Sequence, residues 1–325
     1  MSRPSFFIAG HSKSGTSALS VFLGQHPQLF VCKPEEPNYF CPSWCRAPGP
    51  PSLFHPRTEA QYLELFEPAG PGRLCGEASA AYLYSEEAAG LIAEFAPAAR
   101  IVAIFREPVD FLRSYHLQLL KNVPAEGETV RDLGEAIGLE AERRAGRRLP
   151  DGCLVPELLW YASDRLRYDE HLDRFTARFP PDQVLPLVYD DFRRDNAGTV
   201  RRVLEFLAVD ASFEPKLEEH NTGGVALRSR RLQGLLRGAT HSGGAVGRAR
   251  ALLPRRLRRR AVAAAYERVV FEKAPPVPAE LAAEIRARAA PHVAGLGARL
   301  GRDLLGEWGY RDVAGPGVGD QLAGS

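Results

Sequence analysis

Residues 6–19 read FFIAGHSKSGTSAL. A short apolar run leads into a turn bounded by Gly10 and Gly15, and the turn leads directly into a helical pattern. Small residues let backbone N–H groups approach an anion, Lys13 adds a positive charge, and the helix N-terminus adds a partial positive charge. We therefore predict that this turn binds a phosphate group.

The turn shares its glycine spacing with a Walker A loop but differs from it in the position of the lysine. Four residues separate Gly10 from Gly15, yet Thr16 stands where a nucleoside triphosphatase carries its lysine. The lysine of this chain, Lys13, lies three positions earlier. We expect a nucleotide phosphate to bind here, but not in the manner of Mg-ATP.

Length and composition predict a soluble globular protein. The 325 residues are 45% hydrophobic and carry a net charge of +2, so the overall charge does not indicate a nucleic-acid partner. No stretch approaches the roughly 20 apolar residues of a membrane span. The apolar run after the N-terminus is too short for a signal peptide. We expect a cytoplasmic location.

Strand and helix patterns alternate along the chain. This alternation predicts an α/β fold, a single domain with a central parallel β-sheet flanked by helices. Ile101–Phe105 contains no polar residue, as expected of a strand covered on both faces. The other predicted strands are Phe6–Ala9, Leu29–Val31, Arg73–Gly76 and Val184–Val188, and the predicted helices are Thr16–Gln25, Glu59–Phe66, Glu86–Phe95, Val109–Lys121, Pro156–Phe179 and Ala197–Leu207.

A second candidate anion site follows the strand Ile101–Phe105. Arg106 comes directly after it, at the carboxyl end of a parallel strand, where α/β folds bind ligands. Pro108 suits the first turn of a helix, which would place Ser114 about two turns along on a similar face. Arginine can bind a phosphate bidentately and serine can donate a hydroxyl hydrogen bond. Two separate anchors suit a ligand with two separate phosphate groups.

Together these motifs resemble those of sulfotransferases that use 3′-phosphoadenosine 5′-phosphosulfate (PAPS). The resemblance extends from Phe6 to about Leu236 and is nearest to the bacterial and heparan-sulfate-type carbohydrate branch. It implies the P-loop-like sulfotransferase fold, PAPS as donor, adenosine 3′,5′-bisphosphate (PAP) as product, and no metal. Arg106 and Ser114 are similar to the family's 3′-phosphate site. The 5′-phosphosulfate loop of the family is matched by Lys13, Ser14, Gly15, Thr16 and Ser17.

The segment from Glu36 to Phe40 resembles a Glu-x-x-aromatic-Phe segment of the heparan sulfotransferase branch, in which the glutamate is the general base. The resemblance implies that Glu36 accepts the acceptor's proton. Burial among aromatic residues would raise the low pKa of such a carboxylate and make it a better base. Glu35 lies one position off the pattern. His116 and His11 are alternatives, because other branches use a histidine base.

The segment Gly76–Tyr82 resembles a family segment that lines the acceptor cleft. Ala78 and Ala80 stand where lysine and proline are common in the family, and the missing lysine argues against a highly anionic polysaccharide acceptor. Glu77 and Tyr82 have two possible roles: either they contact the acceptor, or they are hydrogen-bonded parts of the interior.

The segment from Arg228 to Arg260 contains eleven arginines and no acidic residue. Asn221–Arg230 resembles a loop that closes over the nucleotide in bacterial members, which implies that Arg228 contacts a donor phosphate. We interpret residues 228–270 as an arginine-rich lid and a helical segment within one domain spanning residues 1–313, followed by a disordered tail over 314–325. The cluster Arg255–Arg260 is a solvated face or, alternatively, a contact with anionic lipid.

We predict an enzyme that transfers a sulfuryl group from PAPS to a hydroxyl of a small-molecule, sugar or glycolipid acceptor. Lys13 would stabilise charge on the leaving group while Glu36 takes the proton, in an in-line displacement. One alternative is a P-loop small-molecule kinase, which would need Mg²⁺ held by Ser17 or Thr16. Another is a non-catalytic nucleotide-binding protein, which would keep Lys13 and Arg106 without needing Glu36.

Overall fold

A central sheet of five parallel strands organises the molecule. The computed structural model describes residues 2–42, 56, 58–122, 127–216, 225–227, 271–273 and 275–310. The strand order is β2-β3-β1-β4-β5, and every pairing within this sheet is parallel, which confirms the predicted α/β fold. The strands are β1 (Pro4–Gly10), β2 (Leu29–Val31), β3 (Leu74–Ala78), β4 (Arg100–Phe105) and β5 (Val184–Val188).

Helices cover both faces of this sheet. Alternate side chains of β1 enter two different hydrophobic cores: Phe7 packs into one core and Phe6 into the other. The alternation follows from the period of two in a strand. The described helices are α1 (Thr16–Leu23), α2 (Glu59–Glu64), α3 (Ala88–Phe95), α4 (Pro108–Lys121), α5 (Leu133–Gly138), α6 (Glu140–Arg144), α7 (Tyr168–Thr176), α8 (Tyr189–Arg194), α9 (Asn196–Phe206), α10 (Ala279–Leu300) and α11 (Leu304–Glu307).

The strand order places a crevice between β1 and β4. The chain leaves β1 toward β2 on one side, returns through β3, and then continues to β4 and β5 on the other side. Ligands of open α/β sheets bind at such a reversal, outside the carboxyl ends of the strands. Both predicted anion anchors lie there, because residues 11–15 follow β1 and Arg106 follows β4.

The predicted helix over Pro156–Phe179 is wrong in its first half. A short 3-10 helix covers Pro156–Leu159, and an α-helix begins only at Tyr168. The reason is competition for the backbone: the Glu140 carboxylate accepts hydrogen bonds from the N–H groups of Ala162 and Ser163. These N–H groups therefore bond to a side chain instead of to a helical ladder.

The sequence analysis missed five of the described helices, α5, α6, α8, α10 and α11, and two short strands. Helix α10 packs against α7 and α4, and β6 (Val225–Leu227) pairs antiparallel with β7 (Phe271–Lys273). Arg228, the cluster Arg255–Arg260 and the tail 314–325 lie outside the described residues, so the lid, the lipid contact and the domain limits stay predictions. Among the helices that the structure describes, we find none with the length and apolar character of a membrane span.

Candidate active site

The turn after β1, residues 11–15, is called the phosphate loop below. Gly15 has a φ of 88°, and a Cβ at this position would lie 2.8 Å from the Phe192 ring, so glycine is required. No side chain caps α1, which leaves the N–H groups of its first turn available to an anion. The Ser14 hydroxyl donates to the Ser12 carbonyl at 3.3 Å. In this conformation the buried Ser14 hydroxyl therefore bonds within the loop.

Lys13 and Arg106 join the two predicted anion sites. Arg106 Nη1 donates to the Lys13 carbonyl oxygen at 2.8 Å, although 93 residues separate the two. The Lys13 ammonium reaches Gln118 Oε1 on α4 at 3.2 Å. Burial lowers the pKa of Lys13, the Glu36 carboxylate counteracts this shift, and the Arg106 guanidinium adds to it. The loop and the residue after β4 thus form one cationic surface.

The Arg106 guanidinium is held for ligand binding by its surroundings. Its Cζ lies 4.6 Å from the centre of the Tyr189 ring, and the Tyr168 hydroxyl donates to the Arg106 carbonyl at 2.8 Å. Within the described residues, the buried Arg106 Nε has no hydrogen-bond partner. Pro108 begins α4 as predicted, and Ser114 lies partly buried on that helix. The unsatisfied N–H fits an anionic ligand such as a phosphate.

Glu36 lies on the loop after β2, and its backbone N–H donates to the Ala78 carbonyl at 2.9 Å. The residue is exposed to solvent, while the protein packed around its carboxylate removes part of its hydration. This desolvation raises the pKa of Glu36 to about 7. The neighbouring Glu35 adds to the rise, and the Lys13 charge opposes it. The rise agrees with the expectation for a general base.

Glu77 and Tyr82 are fully buried and bonded to each other. The Glu77 carboxylate accepts hydroxyl hydrogen bonds from Tyr62 at 2.5 Å, from Ser79 at 2.6 Å and from Tyr82 at 2.8 Å. Both Glu77 and Tyr82 are 0% exposed. In this structure neither offers surface to an acceptor, and the geometry supports the alternative role of hydrogen-bonded interior.

The two candidate histidines are also engaged inside the protein. His11 is fully buried; its Nε2 lies 3.0 Å from the Arg165 carbonyl, and burial lowers its pKa to about 3. His116 lies between the Tyr161 hydroxyl and the Arg131 carbonyl, at 3.1 Å from each, and burial lowers its pKa. These contacts favour Glu36 over either histidine as the base.

Sequence reasoning missed the polar side of α4. Ser114, Gln118 and Lys121 follow one another at spacings of four and three residues, which places them on one helix face. Gln118 contacts Lys13. Burial lowers the pKa of Lys121, and the positive charge of Lys13 lowers it further. The helical spacing from Ser114 was the signal that could have revealed this face.

The sulfotransferase domain family model matches residues 3–222. The chain belongs to this family. The chain is 31% identical over 216 residues to human bifunctional heparan sulfate N-deacetylase/N-sulfotransferase 3, covering 63% of this chain and 22% of the relative. It is 27% identical over 206 residues to human heparan sulfate glucosamine 3-O-sulfotransferase 6, covering 63% of this chain and 52% of the relative. The chain thus spans about a quarter to a half of these relatives.

The sulfotransferase fold is also found in a solved structure. The crystal structure of a sulfotransferase from Alicyclobacillus acidocaldarius superposes with a TM-score of 0.65 and 26% sequence identity, covering 95% of this chain and 99% of that one. The family match and this superposition confirm the predicted sulfotransferase family and fold. They favour a sulfotransferase over the P-loop kinase.

Proposed function

We propose that this sulfotransferase moves a sulfuryl group onto an acceptor hydroxyl, with Glu36 as general base and Lys13 as the group that stabilises the leaving oxygen. The observation that supports this proposal is the juxtaposition of an accessible carboxylate and a lysine at one edge of the sheet. Each of the two charges shifts the pKa of the other, although 23 positions separate them. The reaction needs both a base and a cation in one cleft.

The donor would bind across the phosphate loop and Arg106. When bound, PAPS supplies the sulfuryl group and a phosphate leaving group. Arg106 and Ser114 would hold the 3′-phosphate, while Lys13 and the first N–H groups of α1 would hold the 5′-phosphate. The Lys13 charge, lying beside the leaving oxygen, would stabilise the negative charge that develops there. In this assignment no metal is required, and Arg228 would add a phosphate contact.

Glu36 suits the proton transfer because of its pKa. A group with a pKa of about 7 is half ionised at neutral pH, and general bases work best when their pKa lies near the operating pH. Its exposed side lets an acceptor hydroxyl approach. The backbone bond to Ala78 anchors the Glu36 segment to the end of β3, and the Glu36 and Lys13 charges interact.

The acceptor class remains a proposal. The named relatives act on heparan sulfate as N- and 3-O-sulfotransferases. We propose a small-molecule, sugar or glycolipid acceptor, since Ala78 stands at the position where a lysine would suit a highly anionic chain. A cytoplasmic location and a lipid contact through Arg255–Arg260 also stay predictions.

Donor recognition is tested first by calorimetry with PAP and AMP. Only PAP fills both anion sites, and one charge-assisted contact is worth about 1.5–3 kcal/mol, so we expect PAP to bind roughly 10- to 100-fold more tightly. The Ser114→Ala variant should lose part of this preference while keeping its affinity for AMP. Equal affinities for PAP and AMP in the wild type would refute the two-site assignment.

The acceptor is tested by mass spectrometry with ³⁴S-labelled PAPS against a panel of hydroxylated metabolites, sugars and glycolipids. Amino sugars belong in the panel, because one relative is an N-sulfotransferase. Glu36→Gln serves as the matched control variant, since it preserves the size of the side chain and removes the base. Products that form equally fast with this variant would contradict the role of Glu36.

A further inference from the structure

A buried polar layer lies directly behind the phosphate loop. The Tyr84 hydroxyl accepts a hydrogen bond from the Ser12 N–H at 2.8 Å and lies 3.1 Å from His11 Nδ1. The Arg165 guanidinium packs on the face of the Tyr84 ring, with Cζ 4.0 Å from the ring centre. The conformation of the loop therefore depends on Tyr84, and the position of Tyr84 depends on Arg165.

Arg165 reaches the loop through its backbone as well as through its side chain. Its carbonyl oxygen lies 3.0 Å from His11 Nε2, and its Nη2 donates to the Glu157 carbonyl at 2.8 Å. The side chain is fully buried. These contacts hold it from both ends, so its guanidinium has one position against Tyr84.

The cation of this layer is Arg165, and the partly exposed Asp164 carboxylate, 3.7 Å from its Nη1, offsets part of its charge. Burial keeps His11 and its neighbour His171 neutral at physiological pH, because it lowers the pKa of both rings well below their usual value. An interior cation near an anion-binding loop is favourable because the surrounding protein screens it less than water would. The charge is therefore of the sign that an anionic donor needs.

We propose that Arg165 is a positioning residue for the donor: it acts through Tyr84 to hold the phosphate loop in its anion-binding conformation. The inference rests on the proposed placement of the 5′-phosphate at this loop. It concerns the loop, so Arg165 should affect the 5′-phosphate that PAP and AMP share and leave the 3′-phosphate contact of Ser114 on α4 unchanged. It does not depend on the role of Glu36.

The test measures PAP and AMP affinities of three variants by calorimetry. Arg165→Lys keeps the charge but loses the planar group that stacks on Tyr84, and Tyr84→Phe keeps the ring but loses the acceptor of the Ser12 N–H. We expect each to weaken PAP binding by roughly 2- to 10-fold, the range of one hydrogen bond, and AMP binding by the same factor. In the double variant, the fold loss in affinity should be smaller than the product of the two single-variant losses. The reason is that Arg165 acts on the loop through Tyr84, so the two substitutions disturb the same contact.

Two controls separate positioning from general loss of structure. Arg143→Lys alters another buried arginine, which pairs with Glu128 at 2.6 Å, and should leave both affinities unchanged. Ser114→Ala should weaken PAP binding and leave AMP binding unchanged. Circular dichroism and Tm establish that each variant is folded.

Several results would overturn the proposal. The first is that folded Arg165→Lys binds PAP as tightly as the wild type does. The second is a loss of affinity in the double variant that equals the product of the two single losses. The third is that the control Arg143→Lys loses as much affinity as Arg165→Lys. If Arg165→Lys does not fold, Tyr84→Phe decides alone, and unchanged affinity would refute the route through Tyr84. Failure of the Glu36 assignment would appear in turnover and leave these affinities as they are.

Discussion

Glu36 and Glu77 lie on neighbouring segments and share a pKa raised to about 7, but their surroundings are opposite. Glu36 is exposed in the cleft, beside Lys13 and Glu35. Glu77 is fully buried and accepts three hydroxyl hydrogen bonds, which lower its pKa against the larger effect of burial. A raised pKa alone therefore does not identify a base. A candidate base must also be accessible to an acceptor and lie near a cation.

The largest expected effect separates the two carboxylates by turnover. Glu36→Gln should lower turnover by about 10²–10⁴, the usual contribution of a general base, with nearly unchanged PAP affinity. Glu77→Gln preserves the shape of a side chain that does not reach the cleft. Its turnover per folded molecule should therefore stay within about 3-fold of the wild-type value, a free-energy difference smaller than that of a typical hydrogen bond. Steady-state kinetics with an acceptor from the screen measures both. A larger loss in Glu77→Gln than in Glu36→Gln would reverse the assignment.

The next effect separates them by stability. Glu77→Ala leaves the Tyr62, Ser79 and Tyr82 hydroxyls without their buried acceptor, and we expect the free energy of unfolding to fall by about 2–4 kcal/mol. Glu36→Ala removes a carboxylate whose raised pKa means that its charge is disfavoured in the folded protein, so we expect no comparable loss of stability at neutral pH. Urea denaturation monitored by circular dichroism measures both variants. Equal losses would mean that Glu36 is also a structural residue.

A third effect is the pH dependence of stability. The pKa of Glu77 is raised in the folded state, so the folded protein binds the proton more tightly than the unfolded chain. Stability from this group is therefore present below about pH 4.5 and is lost as the pH rises toward 7, by at most about 1.4 kcal/mol per pH unit. Glu77→Gln cannot ionise and should flatten this decline in denaturation series between pH 4.5 and 7.5. An unchanged slope would contradict the role given to burial.

The phosphate loop could be predicted from sequence because its parts are contiguous. A strand, a glycine-bounded turn and a helix follow one another, and each leaves a local pattern. Arg106 was predicted for a related reason, since the carboxyl end of a parallel strand is a known position for ligand contacts. The sequence made these residues candidates, but it could not predict the Arg106–Lys13 bond at 2.8 Å, which requires the order of the strands.

Features that depend on tertiary partners could not be predicted. The burial of Glu77 depends on Tyr62, which α2 brings to it, and the interruption of the predicted helix depends on Glu140. Helix α10 contains Pro291, which normally disfavours a helix interior. Packing against α7 overrides that preference, and His292 lies 2.7 Å from Asp169 across this contact.

The smallest expected effect concerns Glu35, the exposed neighbour of the proposed base. Its negative charge adds to the desolvation that raises the pKa of Glu36, whereas Lys13 opposes the rise. Glu35→Gln removes that charge, so the pKa of Glu36 should fall and the rise of kcat/KM with pH should begin at a lower pH. The direction follows because a carboxylate acts as a base only when it is ionised, and a lower pKa keeps it ionised at lower pH.

Two measurements make this last prediction specific. The pH profile of Glu35→Gln, followed at low ionic strength, should shift to lower pH, and added salt should shrink the difference from wild type because the charge is exposed. The same substitution at Glu77 should shift the profile in the same direction but by less, because the Glu77 charge contributes less than the Glu35 charge to the raised pKa of Glu36. A profile that shifts with Glu77→Gln but not with Glu35→Gln would contradict this order of the two charges, and a titration that disappears in Glu77→Gln would place the base at the buried carboxylate.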